Sequence, residues 1–291
     1  METVIVTGAS TGIGHGCAAV LVRKGFRVFG SVRSRTDADR ISHELGEKFV
    51  PLLFDIADQT AVRSSAAIVE EILRGKPLFG LVNNAGIAVP GPLLYLDIDE
   101  FRRQLEVNVT GQLIVTQTFA PLLKSADAQK AGRIVMMSSV GGRNASPFIG
   151  AYNASKFALE GMSESLRREL MLWGIDVIVV APGTIATPIW DKAEQADIAR
   201  YSNTPYAAAL NAVRDYMLVN GRKGLKPEQV GELVHRALTA ARPKTRYVIT
   251  PDPLQNLLVG TLPKRMVDRL IARRLGLSPK SLTRRSSLQP K

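Results

Sequence analysis

The sequence predicts an α/β protein with a doubly wound fold, in which a mainly parallel, seven-stranded sheet carries helices on both faces. Short apolar runs rich in β-branched residues alternate along the chain with longer segments of helical period. Most of these runs are apolar throughout, which is typical of strands buried on both faces of a parallel sheet. The repeated strand–helix–strand order implies right-handed crossovers, and these place helices on both sides of the sheet.

Seven segments are predicted as strands. They are Val4–Thr7, Arg27–Val32, Phe49–Phe54, Gly80–Val82, Arg133–Met137, Val177–Val180 and the shorter Tyr247–Ile249. Helical period is found between them, over about residues 13–24, 59–74, 99–125, 151–173 and 227–241. Pro227 followed by Glu228 is a typical helix start, because proline lacks the N–H that a first turn leaves unpaired.

The chain divides into a main domain and a C-terminal extension. Neither an internal repeat nor a linker interrupts residues 1–252, which are predicted to form one domain. Within it, residues 184–225 are a long insertion between a strand and the next helix. Residues 253–291 form a basic, amphipathic extension with an apolar stripe at helical spacing, made of Met266, Val267, Leu270, Ile271 and Leu275.

The net charge of +12 is concentrated in this extension. Residues 253–291 carry nine Lys or Arg against one Asp, which leaves only +4 for residues 1–252. Two interpretations stay open: a surface helix on an anionic membrane, or a helix packed over a pocket or at a subunit interface with solvated cations. The interleaved aromatics of a single-strand nucleic-acid surface are missing, so no nucleic-acid partner is expected. Residues Arg284–Ser287 are expected to be a disordered tail.

The cellular compartment of the protein is only weakly indicated by its sequence. No run of about 18 apolar residues is found, so no membrane span is expected. The N-terminal segment Met1–Val6 leads directly into a strand without a basic leader, and a cytoplasmic location is therefore the expectation, with peripheral contact at a membrane surface as an addition. The single cysteine, Cys17, excludes an intrachain disulfide and is predicted to be buried on the first helix.

A glycine-rich turn, T-G-A-S-T-G-I-G over Thr7–Gly14, follows the first strand and opens the first helix. Such a turn lets the backbone approach a pyrophosphate and directs free N–H groups and the helix dipole at its charge. The expected cofactor-binding residues of the turn are Gly8, Ser10, Thr11, Gly12, Ile13 and Gly14. The T-G-x-x-x-G-x-G spacing differs from the common G-x-G-x-x-G fingerprint and resembles that of the short-chain dehydrogenase/reductase family, whose fold is of the Rossmann type.

The end of the second strand favours NADP(H) over NAD(H). An NAD-binding unit normally places an Asp or Glu there to hold the ribose hydroxyls, but this position is occupied by Val32. Arg33 follows and can pair with a 2′-phosphate, whereas the next acid is only Asp37. The alternative is that Arg33 is merely a solvated cation at a strand end. By resemblance, Asp55 contacts the adenine amino group.

The segment Asn83–Gly86 resembles the Asn-Asn-Ala-Gly element of the same family. That resemblance implies cofactor contacts by Asn84, Ala85 and Gly86. The asparagines have an equally simple structural interpretation, because they can stabilise the end of the fourth strand.

Tyr152 and Lys156 are the clearest sign of chemistry. At i and i+4 they lie on the same face of a helix. Free tyrosine has a pKa near 10, and lowering it by about three units requires about 4 kcal/mol. A nearby ammonium, together with a positive nicotinamide ring, favours the phenolate by energy of that order. Tyr152 is therefore expected to be the acid/base of a carbonyl/alcohol interconversion.

The family resemblance assigns the remaining catalytic and nicotinamide-side residues. It implies that Ser139, thirteen residues before the tyrosine, hydrogen-bonds the reacting oxygen, while Ser138 is a structural neighbour. Asn108 resembles the asparagine that perturbs the long helix and holds a water for a proton relay through the lysine. Pro182 and Gly183, with Thr187 beyond, resemble the loop at the nicotinamide end. The resemblance extends from residue 3 to about residue 250, and the motifs occur in the family's order.

A finer resemblance is to the branch of 17β-hydroxysteroid and retinol dehydrogenases. It implies a small lipophilic alcohol or carbonyl substrate, bound between residues 141–148 and the 184–225 insertion. The expected substrate contacts are Ser139, Phe148, Tyr152 and Ile189, although apolar side chains there can equally pack the insertion onto the sheet. Two alternatives stay open: a 3-ketoacyl reductase whose basic surface docks an acidic carrier protein or coenzyme A ester, and a non-catalytic NADP(H) sensor. By resemblance, a homodimer or homotetramer is expected through helices 99–125 and 151–173.

Overall fold

A parallel sheet of seven strands forms the centre of the computed structural model, which describes residues 1–127 and 131–278. The strands are β1 (Thr3–Val6), β2 (Arg27–Val32), β3 (Phe49–Leu53), β4 (Gly80–Asn83), β5 (Arg133–Met137), β6 (Asp176–Pro182) and β7 (Arg246–Ile249). Their order is β3-β2-β1-β4-β5-β6-β7, and all six pairings are parallel. The predicted doubly wound fold is thus confirmed, and each predicted strand agrees with an observed one to within two residues at either end.

Eleven α-helices are found in the described residues. They are α1 (Gly12–Arg23), α2 (Arg35–Leu45), α3 (Gln59–Leu73), α4 (Ile98–Leu105), α5 (Gln112–Leu123), α6 (Gly150–Glu169), α7 (Ile189–Glu194), α8 (Ala207–Arg222), α9 (Pro227–Thr239), α10 (Pro253–Thr261) and α11 (Lys264–Leu275). Successive strands are added towards one edge of the sheet from β1 to β3 and towards the other edge from β4 to β7, so the order reverses between β1 and β4. Ligands of doubly wound proteins bind at this point, outside the carboxyl ends of the strands.

Two apolar cores cover the two faces of the sheet. Alternate residues of a strand point to opposite faces, so Val4 packs with α1 and α9 while Ile5 packs with α3, α5 and α6. Both side chains are fully buried, which is the physical reason for the uninterrupted apolar character of the strands. Cys17 lies in the first of these cores, and its predicted burial is confirmed; burial raises the pKa of its thiol to about 12.

Helices α1 and α9 approach each other closely because glycine faces glycine. A Cβ atom on Gly16 would lie 2.6 Å from the carbonyl carbon of Pro227, and one on Gly231 would lie 2.7 Å from the carbonyl oxygen of Gly16. Neither contact is tolerable for a carbon atom. The close packing holds the start of α1, and with it the glycine turn, against the sheet.

Four helices were not predicted from the sequence: α2, α7 and α8 within the 184–225 insertion, and α10 at the start of the C-terminal extension. Helix α2 has only two buried residues, Ala38 and Ile41, so its apolar period is too sparse to stand out. Its N-terminus is nevertheless capped by a typical residue, because the Ser34 side chain accepts a hydrogen bond from the backbone N–H of Asp37.

The predicted helix 99–125 is divided into three parts. Helix α4 is followed by a π-helical turn over Glu106–Gly111, and α5 continues from Gln112. The predicted helix 151–173 ends as α6 at Glu169, followed by a 3-10 turn over Leu170–Trp173. A π turn inside a helix changes which side chains face the core and is frequently found at functional sites.

The C-terminal extension consists of α10 and α11, as far as it is described. Both helices lie against the domain with no buried residue of their own, and the expected tail at 284–287 lies outside the described residues. The end of α11 partly packs: Leu275 and Leu277 contact the cluster formed by Phe148, Tyr201 and the insertion. No helix within residues 1–127 or 131–278 has the length and apolar character needed to cross a membrane.

Candidate active site

The glycine turn has a backbone that only glycine allows. Gly8 and Gly12 have φ angles of 68° and 59°, in the left-handed region that side chains disfavour. A Cβ atom on Gly14 would lie 2.1 Å from the carbonyl oxygen of Gly8. Thr11, at the N-cap of α1, makes no side-chain cap hydrogen bond, so the first N–H groups of α1 are not capped by it. These features fit a pyrophosphate, which such a helix start binds through its N–H groups.

Hydrogen bonds from two neighbouring strands hold the turn in place. The Gly8 N–H donates to the Ser31 Oγ of β2 at 2.9 Å. The Asn84 Nδ2 donates to the Thr7 carbonyl at 2.9 Å, and the Thr7 Oγ1 accepts from the N–H groups of Asn84 and Ala85 at 2.9 and 3.0 Å. Asn84 therefore acts as a bridge from the end of β4 to the turn. Its neighbour Asn83 is buried and donates a hydrogen bond to the Thr116 hydroxyl, which agrees with the interpretation that it stabilises the end of β4.

At the end of β2 the position expected to be acidic is a buried Val32. Arg33 beside it is largely exposed, and its guanidinium lies 3.7 Å from the carboxylate of Asp55. The two residues predicted for the adenosine end of the cofactor are thus neighbours. Asp37 is engaged elsewhere: it pairs with Arg40 at 2.9 Å, and this hydrogen bond holds the pKa of Asp37 below its usual value.

Arg40 is a residue that sequence reasoning missed. It lies on α2 and donates to the carbonyl oxygen of Ser10 in the glycine turn at 2.8 Å. Arg40 and Arg33 both act electrostatically on Asp37, so a second guanidinium is present at the end of the site where Arg33 lies. No local pattern indicated it, because the contact joins residues thirty positions apart through a helix that had not been predicted.

Ser139 and Tyr152 come together at the end of β5. The Ser139 Oγ accepts from the Gly141 N–H at 3.0 Å and donates to the Pro182 carbonyl at 3.4 Å, and the serine side chain lies close enough to Tyr152 to act on the pKa of its phenol. A 3-10 turn over Val140–Gly142 directs the chain from the serine towards α6, which carries the tyrosine in its first turn. Ser138 is buried, as expected of a structural neighbour.

Lys156 lies beneath this pair, with only 4% of its surface exposed. Its Nζ donates to the carbonyl oxygen of Met137 at 2.7 Å and lies 5.7 Å from the centre of the Tyr152 ring. Burial lowers the pKa of Lys156 to about 8, and the charge of Glu160, one helical turn further on, opposes this shift. The ammonium is thus fixed close to the phenol but is not in direct contact with it.

The pKa of Tyr152 is raised, in the direction opposite to the expected one. Burial of the phenol disfavours its anion, and the interaction with the Ser139 side chain lowers the pKa by less than burial raises it. The residues of this chain alone therefore keep Tyr152 as a neutral phenol, the form that donates a proton. The nicotinamide ring, the other positive charge on which the expectation depended, belongs to the cofactor.

Asn108 lies on the π turn and faces α6. Its Nδ2 donates to the carbonyl oxygen of Ile87 and to the Ser155 Oγ, both at 3.0 Å, while its Oδ1 accepts from the Ile87 N–H at 2.8 Å. Ser155 in turn donates to the Tyr152 carbonyl at 2.7 Å. Asn108 therefore fixes α6 relative to the loop that follows the Asn-Asn-Ala-Gly element. Ser155 was not predicted; its buried position between Tyr152 and Lys156 is the signal that could have indicated it.

The loop expected at the nicotinamide end reaches both the serine and the glycine turn. Pro182 accepts from Ser139, and the Gly183 N–H donates to the carbonyl oxygen of Ile249 at 2.7 Å. Thr187 lies over Gly12, where a Cβ atom would be 3.2 Å from the threonine Cβ. Site residues that were predicted from distant parts of the sequence thus lie close together in the structure.

The two apolar residues expected to contact substrate differ in their surroundings. Phe148 is buried, with a φ of 66°, and its ring packs edge-on against Tyr206 of the insertion at 5.9 Å. This agrees with the alternative that it packs the insertion onto the domain. Ile189, at the start of α7, is 39% exposed and accessible to a ligand. No group of three His, Cys, Asp or Glu in the described part of the chain is arranged to hold a metal ion.

The parallel fold, the glycine turn and the Ser139–Tyr152–Lys156 arrangement define a nicotinamide-dependent dehydrogenase of the short-chain class. A family model described as short chain dehydrogenase matches residues 2–198. The chain belongs to the short-chain dehydrogenase/reductase family and is an oxidoreductase acting on alcohol and carbonyl groups.

Particular relatives resemble the chain over nearly its whole length. The "NADPH-dependent 3-dehydrocapnine reductase" of Ornithobacterium rhinotracheale is 35% identical over 288 residues, which cover 98% of this chain and 100% of that protein. Human "Retinol dehydrogenase 5" is 34% identical over 92% of this chain and 87% of its own length. The fold is similar to that of a short chain dehydrogenase/reductase from Burkholderia phymatum solved with NAD, with a TM-score of 0.76, 22% identity and coverage of 92% and 95% of the two chains.

Proposed function

We propose that this enzyme interconverts an alcohol and a ketone or aldehyde on a lipophilic substrate with NADP(H), and that Tyr152 is its acid/base. The observation that carries the proposal is the contact of Ser139 with Tyr152, with Lys156 fixed beneath them by Met137. In reduction, the neutral phenol of Tyr152 donates its proton to the carbonyl oxygen, and the Ser139 hydroxyl hydrogen-bonds the same oxygen. When bound, the cofactor supplies or accepts the hydride.

The remaining residues bind and orient in this proposal. The N–H groups at the start of α1 hold the pyrophosphate, and Asn84 keeps the turn in its conformation. Lys156, which is positive below its pKa of about 8, stabilises the anion that forms on Tyr152. Asn108 positions α6 through Ser155. Because its amide is engaged by Ile87 and Ser155, we propose Asn108 as a positioning residue.

NADP(H) is the proposed cofactor rather than NAD(H). Arg33 is exposed beside a buried Val32, and Arg40 adds a second guanidinium at the same end. Two guanidinium groups favour a 2′-phosphate, which they can bind through charge-assisted hydrogen bonds. The relative named as NADPH-dependent supports the same preference, and its name supports reduction as the direction.

A lipophilic substrate is proposed because the walls of the site are apolar. Ile189 is half-exposed on α7, and Leu93, Leu94 and Tyr95, before α4, are exposed apolar residues. The loop containing Gly91 pairs with Ile149 just before α6, which brings this apolar segment next to Tyr152. The retinol dehydrogenase among the relatives supports the same substrate class.

The apolar and basic surface of α10 and α11 supports a peripheral contact with a membrane. Leu254, Leu257, Leu258, Met266 and Leu270 are all about half or more exposed. Lys and Arg side chains surround this surface, the composition that favours an anionic membrane interface. For assembly we propose a homodimer or homotetramer through α5 and α6, because Met171 and Leu172 are exposed in the 3-10 turn that follows α6.

The first experiment is a matrix of two cofactors and four substrates, followed by NAD(P)H absorbance. The substrates are 3-dehydrocapnine, retinal, a ketosteroid and a short 3-ketoacyl thioester. Selective oxidation of NADPH by a lipophilic carbonyl is the expected result. Turnover of the thioester alone would favour the 3-ketoacyl reductase alternative, and tight NADPH binding without turnover on any carbonyl would favour the sensor alternative.

A further inference from the structure

A cavity of about 580 Å³ lies on the flank of α6, between the turn that follows Ser139 and the C-terminal helices. Its walls come from that turn and the loop after it, from α6, from β7 and from α10 and α11. The lining residues are Val140, Gly142, Arg143, Asn144, Phe157, Glu160, Arg246, Asn256, Leu257, Gly260, Thr261 and Lys264. None of them is a proposed catalytic or cofactor-binding residue, and three of them, Gly142, Arg143 and Asn144, belong to the 141–148 segment expected on one side of the substrate.

The cavity has more positive than negative charge. Three of its lining residues are cations, Arg143, Arg246 and Lys264, whereas Glu160 is the only acid among the lining residues described. Arg246 and Glu160 neutralise each other, since the Arg246 Nε lies 3.1 and 3.0 Å from the two carboxylate oxygens. Both side chains are nearly buried, at 16% and 12% exposure, so this pair is part of the wall.

The other two cations are less fully engaged than Arg246. Arg143 is 64% exposed, and its Nε is 3.4 Å from a Glu160 oxygen that Arg246 already engages. The Lys264 Nζ has a neutral partner, the Asn144 Oδ1, at 3.3 Å. Among the described residues no second carboxylate lies within ion-pair distance of either cation. Two cations with neutral amides beside them can together bind an anion through charge-assisted hydrogen bonds.

We propose that this cavity binds a phosphate-type anion between Arg143 and Lys264, with the side-chain amides of Asn144 and Asn256 as further donors. A guanidinium and an ammonium are the two side chains that bind phosphate most commonly, and amides supply neutral donors. The anion is either free phosphate or the headgroup of an anionic lipid. The second source is compatible with Leu257, which lines the cavity and is 60% exposed on the apolar face of α10.

The first test measures phosphate binding by isothermal titration calorimetry, at constant ionic strength against chloride. Saturating NADP⁺ is present, so that phosphate does not bind at the glycine turn. The double variant R143A/K264A is compared with R265A, which removes a cation from the same helix α11 but outside the cavity lining. We expect R143A/K264A to weaken phosphate binding at least about tenfold, since each charge-assisted hydrogen bond contributes on that scale, and R265A to leave it unchanged.

Absence of saturable phosphate binding by the wild-type protein would overturn the proposal. So would equal binding by R143A/K264A, or an equal loss in R265A. Thermal melting of each variant shows whether the fold is retained; both substituted side chains of the double variant are on the surface, and no loss is expected.

The second arm distinguishes the two sources of the anion with vesicles of phosphatidylglycerol and of phosphatidylcholine. A lipid headgroup predicts cosedimentation with phosphatidylglycerol only, lost in R143A/K264A, retained in R265A and competed by inorganic phosphate. Phosphate binding in the calorimeter without this vesicle pattern supports the site with free phosphate as its ligand. Vesicle binding that falls equally in both variants, with no phosphate binding, shows diffuse surface charge and overturns the proposal.

Discussion

The Asn108 Nδ2 donates to the Ser155 Oγ at 3.0 Å, and this bond joins the π turn to the helix that carries Tyr152. Both side chains are completely buried. Because Ser155 also donates to the Tyr152 carbonyl, the bond extends from the π turn to the backbone of the proposed acid/base. The π turn thus has a physical purpose here: it turns Asn108 towards α6, where a regular helix would place its side chain elsewhere.

Substitution of either partner tests this connection. Asn108→Ala leaves the Ile87 N–H without its partner, while the Ile87 carbonyl keeps the hydrogen bond from Gln104. We expect a loss of about 1–3 kcal/mol in the free energy of unfolding. In a double-mutant cycle measured by urea unfolding, Asn108→Ala and Ser155→Ala should be non-additive. Ser163→Ala is the matched control, since Ser163 is also buried on α6 but donates only to Leu159. Additive losses for the Asn108 and Ser155 pair would contradict the connection.

Tyr152→Phe should reduce turnover by at least about 10²-fold, because general acid–base catalysis contributes on that scale. Cofactor binding should be retained, since the ring remains and only the hydroxyl is removed. Steady-state rates and NADPH fluorescence titration measure the two effects separately. Tyr216→Phe is the control, because Tyr216 is exposed on α8. Retention of turnover by Tyr152→Phe would eliminate the proposed role.

The pH dependence of ketone reduction follows from the pKa values of Tyr152 and Lys156. Reduction requires the phenol of Tyr152, whose raised pKa keeps it protonated at neutral pH, and the ammonium of Lys156, whose pKa is about 8. We therefore expect kcat/KM to be level at low pH and to fall as the pH rises above about 8. A profile that rises through this range would contradict the assignment.

Glu160→Gln shifts this break in a defined direction. The negative charge of Glu160 raises the pKa of Lys156, so its removal lowers that pKa further and moves the break to lower pH. The matched control is Glu164→Gln. Glu164 lies one turn further along α6 and its exposed carboxylate pairs with Arg168, so its substitution should leave the profile unchanged. The measurement is the pH profile of kcat/KM for the three proteins.

Cofactor preference is tested at the end of β2. Arg33→Ala should raise KM for NADPH by about tenfold and leave KM for NADH nearly unchanged, because only NADPH carries the 2′-phosphate. Arg40→Ala should weaken both cofactors, since Arg40 also holds the Ser10 carbonyl of the glycine turn. Arg63→Ala on α3 is a control for loss of surface charge. Equal effects of Arg33→Ala on both cofactors would exclude the 2′-phosphate contact.

Substitution by alanine is expected to have opposite effects at two glycines, Gly14 and Gly161. Gly14→Ala places a Cβ atom 2.1 Å from the Gly8 carbonyl oxygen, so we expect cofactor binding to be lost and stability to fall by about 1–3 kcal/mol. Gly161→Ala, in the interior of α6 with nothing within 4 Å of the new atom, should stabilise by about 0.5–1 kcal/mol. Thermal or urea unfolding, with NADPH titration, distinguishes them. A stable, cofactor-binding Gly14→Ala variant would contradict the description of the turn.

Local features of the sequence were sufficient for the strands and for the motifs on them. A strand buried on both faces must be apolar at consecutive positions, so β1 and β5 were recognisable without any partner. The spacing of Tyr152 and Lys156 and the glycines of the turn are equally local, because one helical turn or one backbone conformation determines them. Helix α2 escaped prediction since only two of its residues are buried.

The sequence by itself therefore determined the class of fold, the position of the glycine turn in it and the placing of Tyr152 and Lys156 on one helix. Only the tertiary structure decided how these parts act on one another. Burial, which depends on the whole fold, raises the pKa of Tyr152 and lowers that of Lys156. The contacts of Arg40 with Ser10 and of Asn108 with Ser155 join segments 30 and 47 residues apart, and such contacts are set by packing of the sheet and helices rather than by any local pattern.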